Sequence, residues 1–412
     1  MRRLNIAMVS DFFYPSMGGI ETHIKYLSEE LIAMGHKVIV ITHRTGDLVG
    51  CRMVGTIKVY FLDIPVLCRN TTFPSLYSNF PLFKEIFDSE EIEIVHGHQT
   101  MSNMCIEGLF HARTLNLKTV ITDHSIFEVG PFENIVVNAL CRLALKNIDR
   151  CICVSYTSKE NTHIRTMIPL ERIHVIPNAI VSDIFCPREE RCSDQKTVVV
   201  ASRLVFRKGI DLLIGAIPLI CKGDPNVRII IVGDGPMKEG IEQVLDENEL
   251  YDRVEIMHEV DHEKVGDIMR KGDVFLNTSL TETFCIAIVE AASCGLHVVS
   301  TNVGGISEVL PPDMITFSKI TSEDLAEKVL IALRKSNHNP QDYNKRLKDI
   351  YNWKRVAKMT EKVYMNIEQT FLSYRNRREL YRGVTGFLSR LMITIEYLFL
   401  FFIAQRIDCR EE

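Results

Sequence analysis

Leu276–Gly305 reads LNTSLTETFCIAIVEAASCGLHVVSTNVGG. It opens as a short apolar strand that runs into polar residues. Glu282 follows, and eight positions later Glu290. Ala287, Ala291 and Ala292 favour helix between and after them, and Gly295 is a natural C-terminal stop. The reading is therefore strand, loop, helix, with Glu282 in the loop and Glu290 about two turns into the helix. At about 1.5 Å of rise per residue the carboxylates stand about 10–12 Å apart. A glycosidase pair needs about 5–9.5 Å, so paired-carboxylate hydrolysis is excluded. The helix start between the two glutamates offers free N–H groups and a positive dipole end, which suits phosphate. A ligand with a diphosphate in the middle and hydroxyls at both ends, a nucleotide sugar, fits that spacing. Taken alone, the pair is equally compatible with a buried strand–helix unit carrying two incidental glutamates.

Upstream, the strand Val198–Ala201 leads into the loop SRLVFRKG and then a helix from Ile210. Arg203 and Lys208 fall in that loop, one able to fork onto phosphate and the other a point charge. Without its companions the loop reads equally as a solvated basic turn. Strands are predicted at Val227–Val232, ahead of the small turn GDGP, and at Val254–Met257, with a helix from Asp261 onward. Val303-Gly304-Gly305 reads as a turn. The chain holds no D-x-D pair of the kind that carries Mg2+ or Mn2+ on a diphosphate. Arg203, Lys208 and the helix dipole can take that place, so no metal is expected.

The first half repeats the alternation. Residues 4–10 form a strand, then the loop DFFYPSMGG leads to a helix marked by Ile20, Ile24, Leu27, Leu31 and Met34. Gly35 ends it and Val38–Thr42 is the next strand, which makes a βαβ unit and starts a parallel sheet. Gly18 and Gly19 at the helix entry let a ligand approach the backbone, or are a plain turn pair. There is no G-x-G-x-x-G, so a dinucleotide cofactor is disfavoured and none is expected. Ile92–His98, Thr119–His124, Cys151–Ser155 and Ile173–Pro177 read as further strands. His96, His98 and His124 fall at carboxyl ends, where doubly wound sheets meet their ligands. Their spacing matches no common zinc set; His96 and His98 are expected to be simply hydrogen-bonded.

The 412 residues suffice for two or three domains, and 46% hydrophobic content supports sizeable cores. A net charge of −5 gives no basic surface for nucleic acid. The 12 cysteines are scattered without metal spacing and read as free thiols of a reducing compartment. Met1-Arg2-Arg3 leads directly into a strand-like run, without a secretory leader. Sequons stand at Asn70 and Asn277. Residues 383–404 are long enough to span a bilayer, yet Arg390 and Glu396 interrupt them. If the segment spans, both should face partner helices. Arg375, Arg377, Arg378 and Arg382 precede it and Arg406 and Arg410 follow, which puts the body of the chain in the cytosol.

Glu282-x7-Glu290 with AASCG, SRLVFRKG and GDGP resembles the retaining GT-B glycosyltransferases of the GT4, sucrose-synthase/glycogen-synthase-like, family. The strings VSDFFYPSMGGIETH, TDHSIF, ICVSYTSKENT, SRLVFRKGIDLL and LNTSLTETFCIAIVEAASCGL are similar to its branch that starts GPI-anchor synthesis, and the likeness spans roughly residues 4–405. It implies an α/β GT-B fold of two Rossmann-like domains facing a cleft, with a C-terminal hydrophobic helix. It implies transfer of GlcNAc from UDP-GlcNAc to phosphatidylinositol with retention, at the endoplasmic reticulum membrane, by one of several subunits of a transferase complex. By resemblance His124 lies beside the transferred sugar, with Asp123 orienting it. Glu282 contacts the sugar, Arg203 and Lys208 the diphosphate, Glu290 the ribose and Val260 the base, and Gly18–Gly19 lie near donor phosphate and acceptor. The expected division is residues 1–190 and 191–350 for the two domains, with the linker at 186–196. Residues 351–382 form a crossover helix and basic linker, and 383–404 a single span.

Overall fold

The computed structural model describes all residues except 1, 17, 69–70, 73–74, 76–77, 127–137, 140, 189–194, 259, 336–338, 384–385 and 412. Asn70, most of the expected linker and two residues of the expected span lie outside the described residues. The chain divides into two compact units, Met1–Ile176 with Val356–Glu412, and Pro177–Arg355. The boundary falls ahead of the linker read from composition. The reason is that residues 177–186 are tied to the second unit: Ile180 N–H bonds Tyr351 O at 3.3 Å and Asn344 Nδ2 bonds Phe185 O at 3.1 Å.

The first unit carries an eight-stranded sheet. From edge to edge it runs Ile173–Val175, Arg150–Cys153, Lys118–Asp123, Ile94–His98, Asn5–Val9, Lys37–His43, Ile57–Leu62 and Gly50–Val54. All neighbours are parallel except the last pair. The central strands are buried on both faces and mostly apolar, with buried exceptions at His96, His98, Thr119, Thr122 and Asp123 on Ile94–His98 and Lys118–Asp123. The helix Gly19–Ala33 buries Ile24, Leu27 and Leu31. It ends at Gly35, φ +96°, with His36 N–H bonded to Leu31 O at 3.1 Å, the closure a left-handed glycine permits. The order in which the chain adds strands reverses between the parallel neighbours Asn5–Val9 and Ile94–His98, so the loops after those two strands flank the switch point where such sheets bind ligands. The strands Gly50–Val54 and Ile57–Leu62 carry no signal that the sequence reading used.

Glu90, just past the helix Phe80–Ser89, ties that sheet together. Lys37 Nζ lies 2.9 Å from Glu90 Oε2, and Lys58 and Tyr60 both donate to Oε1. Burial alone would raise its pKa, but the bonds from Lys58, Tyr60 and Lys37 outweigh it and hold it at about 2. A carboxylate held below its usual value stabilises above the unfolded pKa, and that stability is lost as pH falls toward 2. Glu90→Gln should therefore cost about 1–2 kcal/mol at pH 7, with the wild-type advantage shrinking below about pH 4.5. Urea midpoints of both proteins at pH 7 and pH 3 measure this; an equal gap at both pH values refutes it.

The second unit holds six parallel strands in the order Val254–Met257, Arg228–Val232, Thr197–Ala201, Val274–Asn277, His297–Thr301 and Ile315–Ser318. Counted along the chain this is 3-2-1-4-5-6, the order of nucleotide-binding sheets. Val198, Val200, Leu276 and Val299 join Leu213, Ile217 and Ile220 of the helix Ile210–Gly223 in one core. The switch point lies between Thr197–Ala201 and Val274–Asn277. The two loops singled out in the sequence, SRLVFRKG and TSLTETF, follow those two strands.

The helix Trp353–Met365 returns the chain to the first unit. There His36 Nε2 meets Glu361 Oε1 at 3.1 Å and Tyr364 OH meets His96 Nδ1 at 2.6 Å. The last helix, Phe387–Glu411, includes Phe387–Ala404, which is long and apolar enough to cross a membrane by length and composition. Its two charges find partners within the same unit. Arg390 donates to Tyr381 O at 3.0 Å, and Glu396, buried, meets His111 Nδ1 at 2.7 Å and Arg377 Nη1 at 3.6 Å. The periodicity showed the charges; only the fold supplied their partners. Phe387, Leu391, Ile395, Leu398 and Phe402 form an exposed apolar stripe on that helix.

Candidate active site

In the second unit the loop after Val274–Asn277 turns directly under Lys208. Lys208 Nζ pairs with Glu282 Oε1, and Ser279 Oγ donates to the same oxygen at 2.8 Å. Thr278 Oγ1 donates to Lys208 O at 2.7 Å, and Leu280 N–H to Arg207 O at 3.0 Å. The two loops are thereby laced together through backbone as well as charge. Arg203 is exposed and forms no ion pair among the described residues. An ammonium and a guanidinium thus stand at the switch point of a nucleotide-type sheet, a cation pair suited to two phosphates.

Two glycines make this approach possible. Gly209 has φ +65°, and a Cβ there would lie 1.8 Å from Thr278 O. Gly304 has φ +55°, and a Cβ there would lie 1.9 Å from Glu282 O. Gly305 N–H then donates to Glu282 O at 3.0 Å. Gly304, read from the sequence as a turn without a role, is a backbone support of Glu282. The signal was its place after the strand following Val274–Asn277, at the same end of the sheet.

The helix Ile286–Ser293 begins after Cys285, whose backbone is left-handed at φ +61°. Strain of this kind in a non-glycine residue gathers at binding sites. Glu290 is buried and is the fifth residue of the helix, one turn in rather than two. The helix starts later than the alanines suggested because Thr283–Cys285 complete the loop. Gly295, φ +89°, ends it as expected. Val260, half-buried, sits between the strand Val254–Met257 and the helix His262–Met269.

The first unit gathers imidazoles at its own switch point. His124 follows the strand Lys118–Asp123, His98 ends Ile94–His98, and His23 comes from the helix Gly19–Ala33. Ring centroids of His23 and His124 are 4.8 Å apart, of His23 and His98 5.5 Å, and of His98 and His124 5.9 Å, the last pair near-parallel at 17°. Their ligating nitrogens lie within 4.8 Å of one another. Burial and the neighbouring His96 push His124 down to about 3, so its ring is neutral at pH 7. His96 is hydrogen-bonded as expected, to Tyr364 OH and, at 2.7 Å, to Thr122 Oγ1. His98 is not: both ring nitrogens are buried without a hydrogen-bond partner among the described residues. Its expected satisfaction fails because the rings of His23, His96 and His124 pack around it, while the hydroxyl of its register partner Thr122 is taken by His96. His23 carries no strand-end signal, because it lies on the buried face of the first helix.

Asp123 is fully buried. It accepts from Thr100 Oγ1 at 3.1 Å, Thr162 Oγ1 at 3.1 Å and Ser125 Oγ at 2.8 Å, and pairs with Arg165 Nη2 at 3.3 Å. Asp11, also unmarked in the sequence, accepts from Ser102 Oγ at 2.7 Å and Thr72 N–H at 3.0 Å, which fixes the loop after the first strand. Gly18 and Gly19 open the helix Gly19–Ala33, with Gly18 extended and both exposed; a Cβ on Gly19 would meet nothing within 4 Å.

Residues 185–350 match the family of glycosyl transferases group 1, and residues 43–131 the PIGA (GPI anchor biosynthesis) family. Among solved structures, sucrose-phosphate synthase from Thermosynechococcus elongatus has a TM-score of 0.71 at 20% identity, covering 88% of this chain and 98% of that one. Anabaena HepE in complex with UDP and glucose has a TM-score of 0.69 at 18% identity, covering 88% and 100%. The fold is GT-B and the chain is a glycosyltransferase by superfamily. The gpi3 subunit of phosphatidylinositol N-acetylglucosaminyltransferase from Schizosaccharomyces pombe is 45% identical over 95% of this chain and 88% of its own length. The corresponding phosphatidylinositol N-acetylglucosaminyltransferase subunit from Homo sapiens is 43% identical over 98% and 85%. This chain belongs to that PIGA/GPI3 family, which serves GPI-anchor biosynthesis.

Proposed function

We propose that this chain is the catalytic subunit that transfers GlcNAc from UDP-GlcNAc to phosphatidylinositol with retention, releasing UDP. The observation that carries the reading is the Lys208–Glu282 pair beside Arg203 at the switch point of the second sheet. Arg203 and Lys208 neutralise the diphosphate as it leaves, assisted by the start of the helix Ile286–Ser293. Glu290 holds the ribose and Val260 lies at the base. Glu282, anchored by Ser279, contacts the donor sugar. His124, neutral, donates or accepts one hydrogen bond at the sugar, and the glycine-led helix start at Gly18–Gly19 receives phosphate. The acceptor arrives as a lipid of the endoplasmic reticulum membrane. The helix from Phe387 holds the chain there as a single span with the catalytic body cytosolic, alongside the other subunits of the transferase.

The test is transfer of labelled GlcNAc to phosphatidylinositol in membranes expressing the chain with its partner subunits, in EDTA. Lipid-linked product is expected. Transfer from GDP-mannose but not from UDP-GlcNAc overturns the donor, and label on a lipid other than phosphatidylinositol overturns the acceptor, either one leaving the fold class. Glu290→Ala should weaken UDP binding about tenfold or more, the loss of a charge-assisted bond. Calorimetric titration of UDP measures it, and unchanged affinity removes Glu290 from the ribose.

A further inference from the structure

We propose that His23, His98 and His124 form a binding site for one transition-metal ion of the Zn2+ type within the first unit. All three donors are imidazoles, whose ligating nitrogens lie within 4.8 Å of one another. They sit on rigid elements: the helix Gly19–Ala33, the end of Ile94–His98, and the residue after its sheet neighbour Lys118–Asp123. A second, independent observation points to a ligand. His98 is wholly buried, and neither of its ring nitrogens has a hydrogen-bond partner among the described residues. Buried polar atoms are nearly always paired, and a cation at the centre of the three rings would take up a His98 lone pair.

The size and softness of the site select the ligand. His98 is 0% exposed and His23 4%, so a sugar or phosphate cannot reach the interior of the cluster, whereas a single ion can. Mg2+ and Ca2+ take oxygen ligands, and none of the three donors is oxygen. Imidazole sets suit zinc, copper, nickel and iron. Three histidines with a fourth position left for water is a recurrent zinc arrangement. His96 packs on His98 at 4.3 Å between centroids, yet its nitrogens are taken by Tyr364 and Thr122. It therefore buttresses the ligand set without joining it. The bound ion would lock His124 in one orientation. This inference does not rest on the transfer reading, because metal content is measured without turnover.

The experiment uses the full chain, purified without a polyhistidine tag, incubated with Zn2+ and desalted. Elemental mass spectrometry should find one zinc per chain, and Co2+ loading should give the intense visible bands of a four-coordinate site with three imidazoles and a water. His98→Ala and His23→Ala should each lower retained zinc at least tenfold, while Lys208→Ala retains it in full. Zinc should also raise the melting temperature of the wild type and not of His98→Ala. His98→Gln, which keeps the volume, replaces His98→Ala if the latter fails to fold. If neither folds, the cobalt spectrum of the wild type decides. Folded wild type that keeps no zinc and gives no cobalt bands, or His98 variants that keep as much zinc as wild type, overturn the proposal.

Discussion

Lys208→Ala should lower GlcNAc transfer by about two to three orders of magnitude, the loss seen when one group that stabilises transition-state charge is removed. On the proposed reaction, charge builds on the diphosphate as the glycosidic bond breaks, and Lys208 is a cation already held at the switch-point loops by Glu282. The protein should remain folded. The loop's course is set by Gly209 against Thr278, by the Thr278 hydroxyl donating to Lys208 O and by the Leu280–Arg207 backbone bond, none of which needs the lysine side chain. Glu282 keeps the Ser279 donor. The loss should fall on kcat more than on donor KM, because the interaction strengthens in the transition state. Lys208→Arg, which keeps the charge but not the shape, should recover part of the rate. Transfer within a few-fold of wild type by Lys208→Ala would remove the lysine from the diphosphate.

Arg165→Met should cost about 3–5 kcal/mol of stability, the usual result of leaving one partner of a buried ion pair alone. Both side chains of the Arg165–Asp123 pair are 0% exposed. The helix Tyr156–Thr166 brings Arg165 and Thr162 against Asp123, while Thr100 donates to it from the loop after Ile94–His98. Removing the guanidinium leaves a carboxylate with hydroxyl donors and no countercharge. The damage lands one residue from His124, so activity should fall with stability. Arg165→Met combined with Asp123→Asn should be more stable than Arg165→Met alone, since the charge then leaves with its partner. Denaturant midpoints of the four proteins give the coupling. A single-variant loss below about 1 kcal/mol would mean that the pair carries little of the fold's stability.

Much of the second half was legible because its chemistry is local. Strand, basic loop and helix follow one another within a dozen residues, and Lys208 and Glu282 each sit directly after a strand. The first half was legible as alternation, but its cluster was not. His23, His98 and His124 are separated by 75 and 26 positions, and no spacing rule joins a helix face to two strand ends. Gly304 was missed for the same reason, since its value lies in a carbonyl 22 positions upstream. The helix starts only at Ile286 because Cys285 takes a left-handed backbone, which a helix cannot include, and the preceding Thr283 and Phe284 are weak helix formers.

By itself the sequence determined the α/β alternation, the two sheets, the nucleotide-type loops and the apolar last helix. Those follow from periodicity and from residue types that act within one strand–loop–helix unit. Only the tertiary structure decided that Arg165 neutralises Asp123, that Tyr364 returns from near the chain's end to bond His96, and that Glu396 is satisfied by His111 and Arg377. Each of these joins buried polar groups far apart in the chain. Burial makes an unpaired polar group costly, but nothing in the local pattern says which distant residue will meet it.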